Sequence, residues 1–219
     1  MINVSNITKE FKNGDVLTKV LRGISLEIKS GEFVAIMGKS GAGKSTLMYQ
    51  MSLLDHPTGG VITIDGEDVT AISHDDRTKF RLDNLGYIFQ DYALVPELTA
   101  IENIMVPLLM QGKTEDEAKV IAQAALARIG LSHRENNLPS QMSGGEQQRV
   151  SIARAVAHNP KILFADEPTA NLDTESSKAV MEIFKTFHQA GQTIVMVTHE
   201  PEYATYCDRI IRISDGQVA

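Results

Sequence analysis

Apolar and polar positions follow two different periods along this chain. Residues 2–7 and 24–28 alternate apolar with polar side chains, which predicts half-buried strands. Residues 33–37, "FVAIM", are apolar throughout and end at Gly38, the pattern of a fully buried strand. Leu47, Met48, Met51 and Leu54 fall at helical spacing, so the pattern predicts a helix over 45–54 with those four side chains on its buried face. Residues 57–60, "PTGG", read as a loop, and 61–64 with the Asp65-Gly66 turn as part of a hairpin. Helical periodicity then dominates, over 99–110, 115–129 and 146–157. Strand patterns return at 162–165 and 193–198, on either side of a helix over 174–190 that Gly191 stops. Residues 209–213 and the Asp215-Gly216 turn form the last predicted strand and hairpin. The pattern is that of an α/β core interrupted by a helical segment, with no internal repeat.

Composition narrows the class. With 42% hydrophobic and 22% charged residues the chain has the make-up of a folded domain rather than a disordered one. A net charge of −7 speaks against a broad nucleic-acid-binding face, so no nucleic-acid partner is expected. The single cysteine, Cys207, excludes an internal disulfide, suits a reducing compartment and reads as a small buried hydrophobe. The longest bilayer candidate, 101–110, carries Glu102, Asn103 and Pro107 and is too short to span. The opening "MINVSNITKEF" lacks a signal-peptide core, so the expectation is a cytoplasmic chain, peripheral to a membrane only through a partner.

The densest chemistry lies at Gly38–Thr46, "GKSGAGKST": Gly38, Lys39, Ser40, Gly41, Ala42, Gly43, Lys44, Ser45 and Thr46. It satisfies G-x-x-x-x-G-K-[ST] between a predicted buried strand and a predicted helix. Backbone N–H groups of such a loop, and the helix end behind it, can cradle a polyphosphate. Lys44 can reach the β- and γ-phosphates of ATP, and the Ser45 hydroxyl can ligate Mg²⁺. A chance glycine-rich turn is the competing reading, and the correct flanks disfavour it. "ILFADE" places Asp166 and Glu167 at a strand tip. One carboxylate there can orient the shell of a metal and the next can polarise an attacking water. Alone, the pair would read as a solvated turn or a helix N-cap; beside the glycine loop, that reading loses. "MSGGEQQRVSIARAV" sets Ser143, Gly144 and Gly145 at the start of a second helix, a second phosphate-binding helix end. One nucleotide needs only one cradle from a chain, so two chains arranged head to tail would use both.

On these motifs the sequence resembles the ATP-binding subunits of ABC transporters over essentially its whole length. The resemblance implies a P-loop NTPase core with an N-terminal antiparallel β element and an inserted helical subdomain. The single domain then divides into a core lobe at about 1–90 and 160–219 and a helical subdomain at about 91–159. It also implies a Q-loop at Gln90, which would touch Mg²⁺ and the water, a signature at Ser143–Glu146 and a metal-orienting Asp166. Glu167 is the implied catalytic base, Asp173 lies in the D-loop "ANLD", and His199 in "VTHE" is the implied switch histidine. Phe11 falls where an aromatic ring stacks on adenine. The implied activity is Mg²⁺-dependent ATP hydrolysis in a nucleotide-dependent homodimer that drives transmembrane permease subunits or a fused membrane domain. The stretch "FQDYALVPELTAIENIMVPLL" places it nearest the macrolide-exporter, lipoprotein-releasing and cell-division branch. Glu146 stands where the wider family has glutamine, and its carboxylate is expected to point away from phosphate. Lys39 either adds long-range attraction for ATP or is a solvated surface lysine. Arg149 and Arg154 are expected to form salt bridges within the helical lobe, and histidines such as His74 and His188 to be exposed. A DNA-associated ATPase of related type would need coiled coils or zinc modules absent here. A kinase or GTPase would have no use for the second serine-glycine helix end.

Overall fold

The computed structural model describes residues 1–14 and 16–219. Two sheets carry the core. In the first, β1 (Ile2–Asn13) and β2 (Val16–Ile28) form a long antiparallel hairpin, and β1 pairs on its other side with β4 (Gly59–Ile64), edged by β5 (Glu67–Asp68). The second has six strands in the order β10-β9-β3-β8-β7-β6. These are β3 (Phe33–Met37), β6 (Leu85–Ile88), β7 (Ile162–Asp166), β8 (Thr193–Val197), β9 (Arg209–Ser214) and β10 (Gln217–Val218). All neighbours from β9 to β6 run parallel, and only β10 is antiparallel.

β3, β7 and β8 are buried at every position, and the reason is that both faces of the parallel sheet are covered. Val34, Ile36 and Phe164 pack with Leu47 and Met48 of α1 (Lys44–Met51) and with Ile2, Val4 and Ile62 of the antiparallel sheet. Phe33, Leu163 and Ile194 face the other way, onto Val180, Phe184 and Phe187 of α6 (Thr174–Gln189). A third core belongs to the segment inserted between β6 and β7. There α3 (Ala100–Met110), α4 (Glu115–Arg128) and α5 (Gly144–Val156) bring together Ile104, Leu108, Ala122, Leu126 and Val150. Thr99, Thr114 and Ser143 each open one of these helices with a full capping box.

Several expectations are corrected. α1 stops at Met51 rather than at residue 54: Leu53 takes φ 60° and turns inward, which leaves Leu54 43% exposed instead of on the buried face. The sequence pattern also misses α2 (His74–Asn84), whose only buried residue is Arg77. Its start is set by Ser73, which accepts from the Asp76 N–H, and no apolar stripe marks it. α7 (Pro201–Ala204) is a further short helix. His188 is largely covered, edge-on to Phe33 at 5.7 Å, rather than exposed. Arg154 makes no salt bridge among the described residues and instead donates to the Tyr92 and Ala93 carbonyls.

Candidate active site

In a parallel sheet the carboxyl ends of the strands lie along one edge, and ligands bind there. β3 runs into the loop at Gly38, β7 ends in Asp166 followed by Glu167, and β8 ends at Val197, two residues before His199. Register fixes their alignment, with Ile36 beside Val197 and Val197 beside Asp166. A cleft of about 640 Å³ opens at this edge. Gly38, Lys39, Ser40 and Lys44 line one side and Glu167 and His199 the other; Met37 and Arg212 complete it.

Gly43 caps α1 with φ 98°, a conformation that leaves a side chain strained, and a Cβ there would stand 2.9 Å from Leu21 Cδ2. Gly38 passes so close to the Ile213 carbonyl that it has no room for a Cβ. The loop is thus seated on β2 and β9, and the Gly216 N–H donates to the Ala42 carbonyl at 3.2 Å. Lys44 is buried by its own loop, its Nζ donating to the carbonyls of Gly38 at 3.0 Å and Lys39 at 3.1 Å. Ser45 Oγ donates to Asp166 Oδ1 at 3.0 Å. Burial pushes the Asp166 carboxyl above the usual carboxylate range; the Ser45 hydrogen bond opposes this and repulsion from Glu167 adds to it. Glu167 adopts φ 46°, and its N–H is held by the Val197 carbonyl at 3.0 Å. Its Oε2 lies 3.1 Å from His199 Nδ1. A carboxylate only accepts, so the proton of this contact sits on Nδ1.

Not every candidate residue reaches the cleft. Phe11 lies on the hairpin, 46% exposed, with Lys9 Nζ 5.0 Å from its ring centroid. Thr46 lies in the first turn of α1. The Gln90 side chain is exposed, and the Gln90 backbone carbonyl accepts from Asn171 Nδ2 at 3.2 Å. Asp173 caps α6 by accepting from the Ser176 N–H at 2.8 Å, a bond that holds its carboxyl below the ordinary range. Ser143 caps α5, where Gly144 and Gly145 lie against Tyr92 and Ser176. Glu146 Oε2 accepts from the Ser143 N–H and Oε1 from Arg134 Nε, both at 2.8 Å. The backbone bond, more than Arg134, holds the Glu146 carboxyl below its ordinary range. None of Ser143–Glu146 lines the cleft that Lys44 and Glu167 share. One chain therefore presents its two candidate phosphate-binding helix ends in different places.

The sequence profile of the ABC transporter family matches residues 21–170. The chain belongs to that family. Among its relatives, this ABC transporter family member is 47% identical to the macrolide export ATP-binding/permease protein MacB of Brucella melitensis biotype 1, over 100% of this chain and 34% of that one. It thus spans about a third of that relative's length. It is 45% identical to the lipoprotein-releasing system ATP-binding protein LolD of Aquifex aeolicus, over 100% of this chain and 96% of the other. The solved dimer of the ATP-binding cassette MJ0796 in a post-hydrolysis state, bound to ADP and Pi, superposes with a TM-score of 0.93 at 40% identity and covers 100% and 96% of the two chains. No helix among the described residues is long and apolar enough to cross a membrane.

Three residues of this ABC family member escape sequence reasoning. Arg212 lines the cleft because β9 runs parallel to β3, with Arg212 beside Met37; its place near the end of an apolar strand was the available signal. Asn171 binds both the Gln90 carbonyl and Asp91 Oδ1. Buried Asn103 holds the 95–99 turn through the carbonyls of Val95, Leu98 and Thr99. Asn171 falls inside the "ANLD" stretch, which names no role for it, and Asn103 has no sequence signal beyond its polarity.

Proposed function

We propose that this chain is the ATP-hydrolysing subunit of a transporter and that it works as a nucleotide-dependent homodimer coupled to membrane permease subunits or a fused membrane domain. One observation carries the reading. Lys44, the Ser45–Asp166 pair and the Glu167–His199 pair converge on one strand edge, while the Ser143 helix end stands apart, available to a second copy. The residues fit the groups they would hold. The loop already satisfies an ammonium with two carbonyls, so Lys44 is placed to exchange these for phosphate oxygens. Ser45 and Asp166 offer hard oxygen donors, and among the described residues no cluster of three or more His, Cys, Asp or Glu could cage a metal. A site of few protein oxygens suits Mg²⁺, which keeps waters and phosphates as its other ligands. When bound, Mg²⁺ neutralises charge on the β- and γ-phosphates.

In this reading Lys39–Thr46 hold the phosphates and Phe11 stacks on the adenine. Gln90 reports on the metal and the water. Glu167 Oε accepts the proton of the attacking water, and the His199 Nδ1–H fixes that carboxylate and steadies the γ-phosphate side. Ser143, Gly144 and Gly145 of the second copy, together with its Asp173, close the site. Loss of the γ-phosphate removes the link between Lys44 of one copy and Ser143 of the other, so the dimer opens. The relatives' names support export or lipoprotein release as the work done; the reading sets that work at the cytoplasmic face of a membrane. Glu167→Gln is expected to bind ATP, accumulate as a dimer on size exclusion, and release phosphate at least about a hundredfold more slowly. Wild-type phosphate release from that variant would show that Glu167 is not the base.

A further inference from the structure

Asp166 receives one side-chain hydrogen bond among the described residues, from Ser45 to its Oδ1. Two phenols flank the same carboxylate. Tyr87 on β6 is in register with Phe164 on β7, two residues before Asp166, so the side chains of Tyr87, Phe164 and Asp166 share one face of the sheet. The Tyr87 ring stacks on Phe164 with centroids 6.4 Å apart and leans on Phe89 at 4.4 Å. Tyr49 stands one helical turn beyond Ser45 on α1, on the same helix face, with its ring 6.2 Å from that of Tyr87. The Tyr87 hydroxyl is sealed from solvent and has no hydrogen-bond partner among the described residues. Burial raises the pKa of both phenols, and the Asp166 carboxylate beside them raises each further. A phenol is protonated at neutral pH, so each hydroxyl is a donor.

We infer that Tyr87, assisted by Tyr49, is a positioning residue for Asp166: its buried O–H has no partner among the described residues, lies on the same sheet face as Asp166, and is the donor that this carboxylate takes up when it serves a metal. The chemistry is that of an outer hydrogen bond that orients a metal-facing carboxylate. The apolar wall of Phe89 and Phe164 keeps water from competing for the oxygen, and the ring packing leaves the hydroxyl little freedom to turn elsewhere. Tyr49 is partly exposed, so its contribution is the smaller.

This inference rests on the proposed nucleotide site, and its test separates the two. Mn²⁺ serves as the probe, titrated by electron paramagnetic resonance with the non-hydrolysable analogue AMP-PNP. Tyr87→Phe removes one oxygen and keeps the ring. It is expected to weaken Mn²⁺ binding about tenfold, while the melting temperature and the metal-free affinity for AMP-PNP in EDTA stay unchanged. Tyr49→Phe is expected to have a weaker effect in the same direction. A packing role alone would leave Mn²⁺ affinity untouched. Unaltered Mn²⁺ affinity in Tyr87→Phe and in the double variant, with nucleotide still bound, overturns the inference and leaves the ATPase reading standing. Absence of AMP-PNP binding by the unsubstituted protein overturns that reading, and this inference with it.

Discussion

Glu146 shows how a carboxylate can sit in the first turn of a helix with its charge already answered. Both of its oxygens are committed, one to the Ser143 N–H and one to Arg134 Nε, each at 2.8 Å, and the side chain is only 15% exposed. Glu146→Gln keeps an acceptor for the capping box, since glutamine serves there as well, but turns a donor NH₂ toward the Arg134 Nε–H, so the charge and that hydrogen bond are lost together. Charge-assisted hydrogen bonds are roughly twice as strong as neutral ones, and a net neutral bond contributes about 1 kcal/mol. Arg134 is 37% exposed, so solvent screens the ion pair and discounts its share. The expected loss is therefore about 1 kcal/mol near neutral pH, or roughly 2–4 °C in melting temperature for a chain of this size. The pH dependence has a definite sign. The folded Glu146 pKa is depressed below its ordinary value of 4.5, so its contribution is fully present above that value and fades as pH falls through the folded one. Urea denaturation followed by circular dichroism should show a gap between the two proteins near neutral pH that narrows as the pH is taken below 4.5. ATP affinity should not change by more than about twofold, because the charge removed already faces Ser143 and Arg134. Equal stability near neutral pH, or a gain of an order of magnitude in ATP affinity, refutes this account of Glu146.

Two other substitutions probe the scaffold. Gly43→Ala forces a Cβ into a left-handed residue beside Leu21 and should cost about 1–2 kcal/mol in backbone strain alone; binding of a fluorescent ATP analogue should fall at least about tenfold because the loop shifts. Arg154→Met removes the two hydrogen bonds that hold the Tyr92 and Ala93 carbonyls, both residues having φ near 50–60°; a destabilisation of about 2–3 kcal/mol is expected, with faster amide exchange at residues 92–95.

The parts of the fold that a sequence makes legible are those with a single physical cause. Phe33–Met37 and Thr193–Val197 read as buried strands because layers cover both faces, and nothing but apolar side chains fits there. Helices α3 and α6 carry apolar stripes and capping residues, so their periods and starts agree. Helix α2 could not be read this way. It is almost wholly polar, and its one buried residue is an arginine. Leu54 was misplaced because the left-handed turn at Leu53 belongs to no periodic pattern. At the candidate site, the glycine loop and the Asp166-Glu167 pair stood out because their residue types are unusual at that spacing. The Glu167–His199 contact did not, because it joins residues 32 positions apart through strand order alone. Arg154 looked like half of a salt bridge within the helical lobe. Only the path of residues 90–93 reveals that it binds carbonyls.

The seating of residues 38–43 on distant segments bears on how the protein is made. Gly38 abuts the Ile213 carbonyl, Gly216 binds Ala42, and the Gly216 carbonyl in turn accepts from the Arg22 N–H at 2.8 Å. A ribosome must therefore synthesise more than 170 further amino acids before this half of the loop's seat exists. A nascent polypeptide halted before β9 already contains Lys44, Asp166 and Glu167, yet its loop has only β2 to rest on. Competence to grip a triphosphate thus arrives late in translation, together with the last two strands.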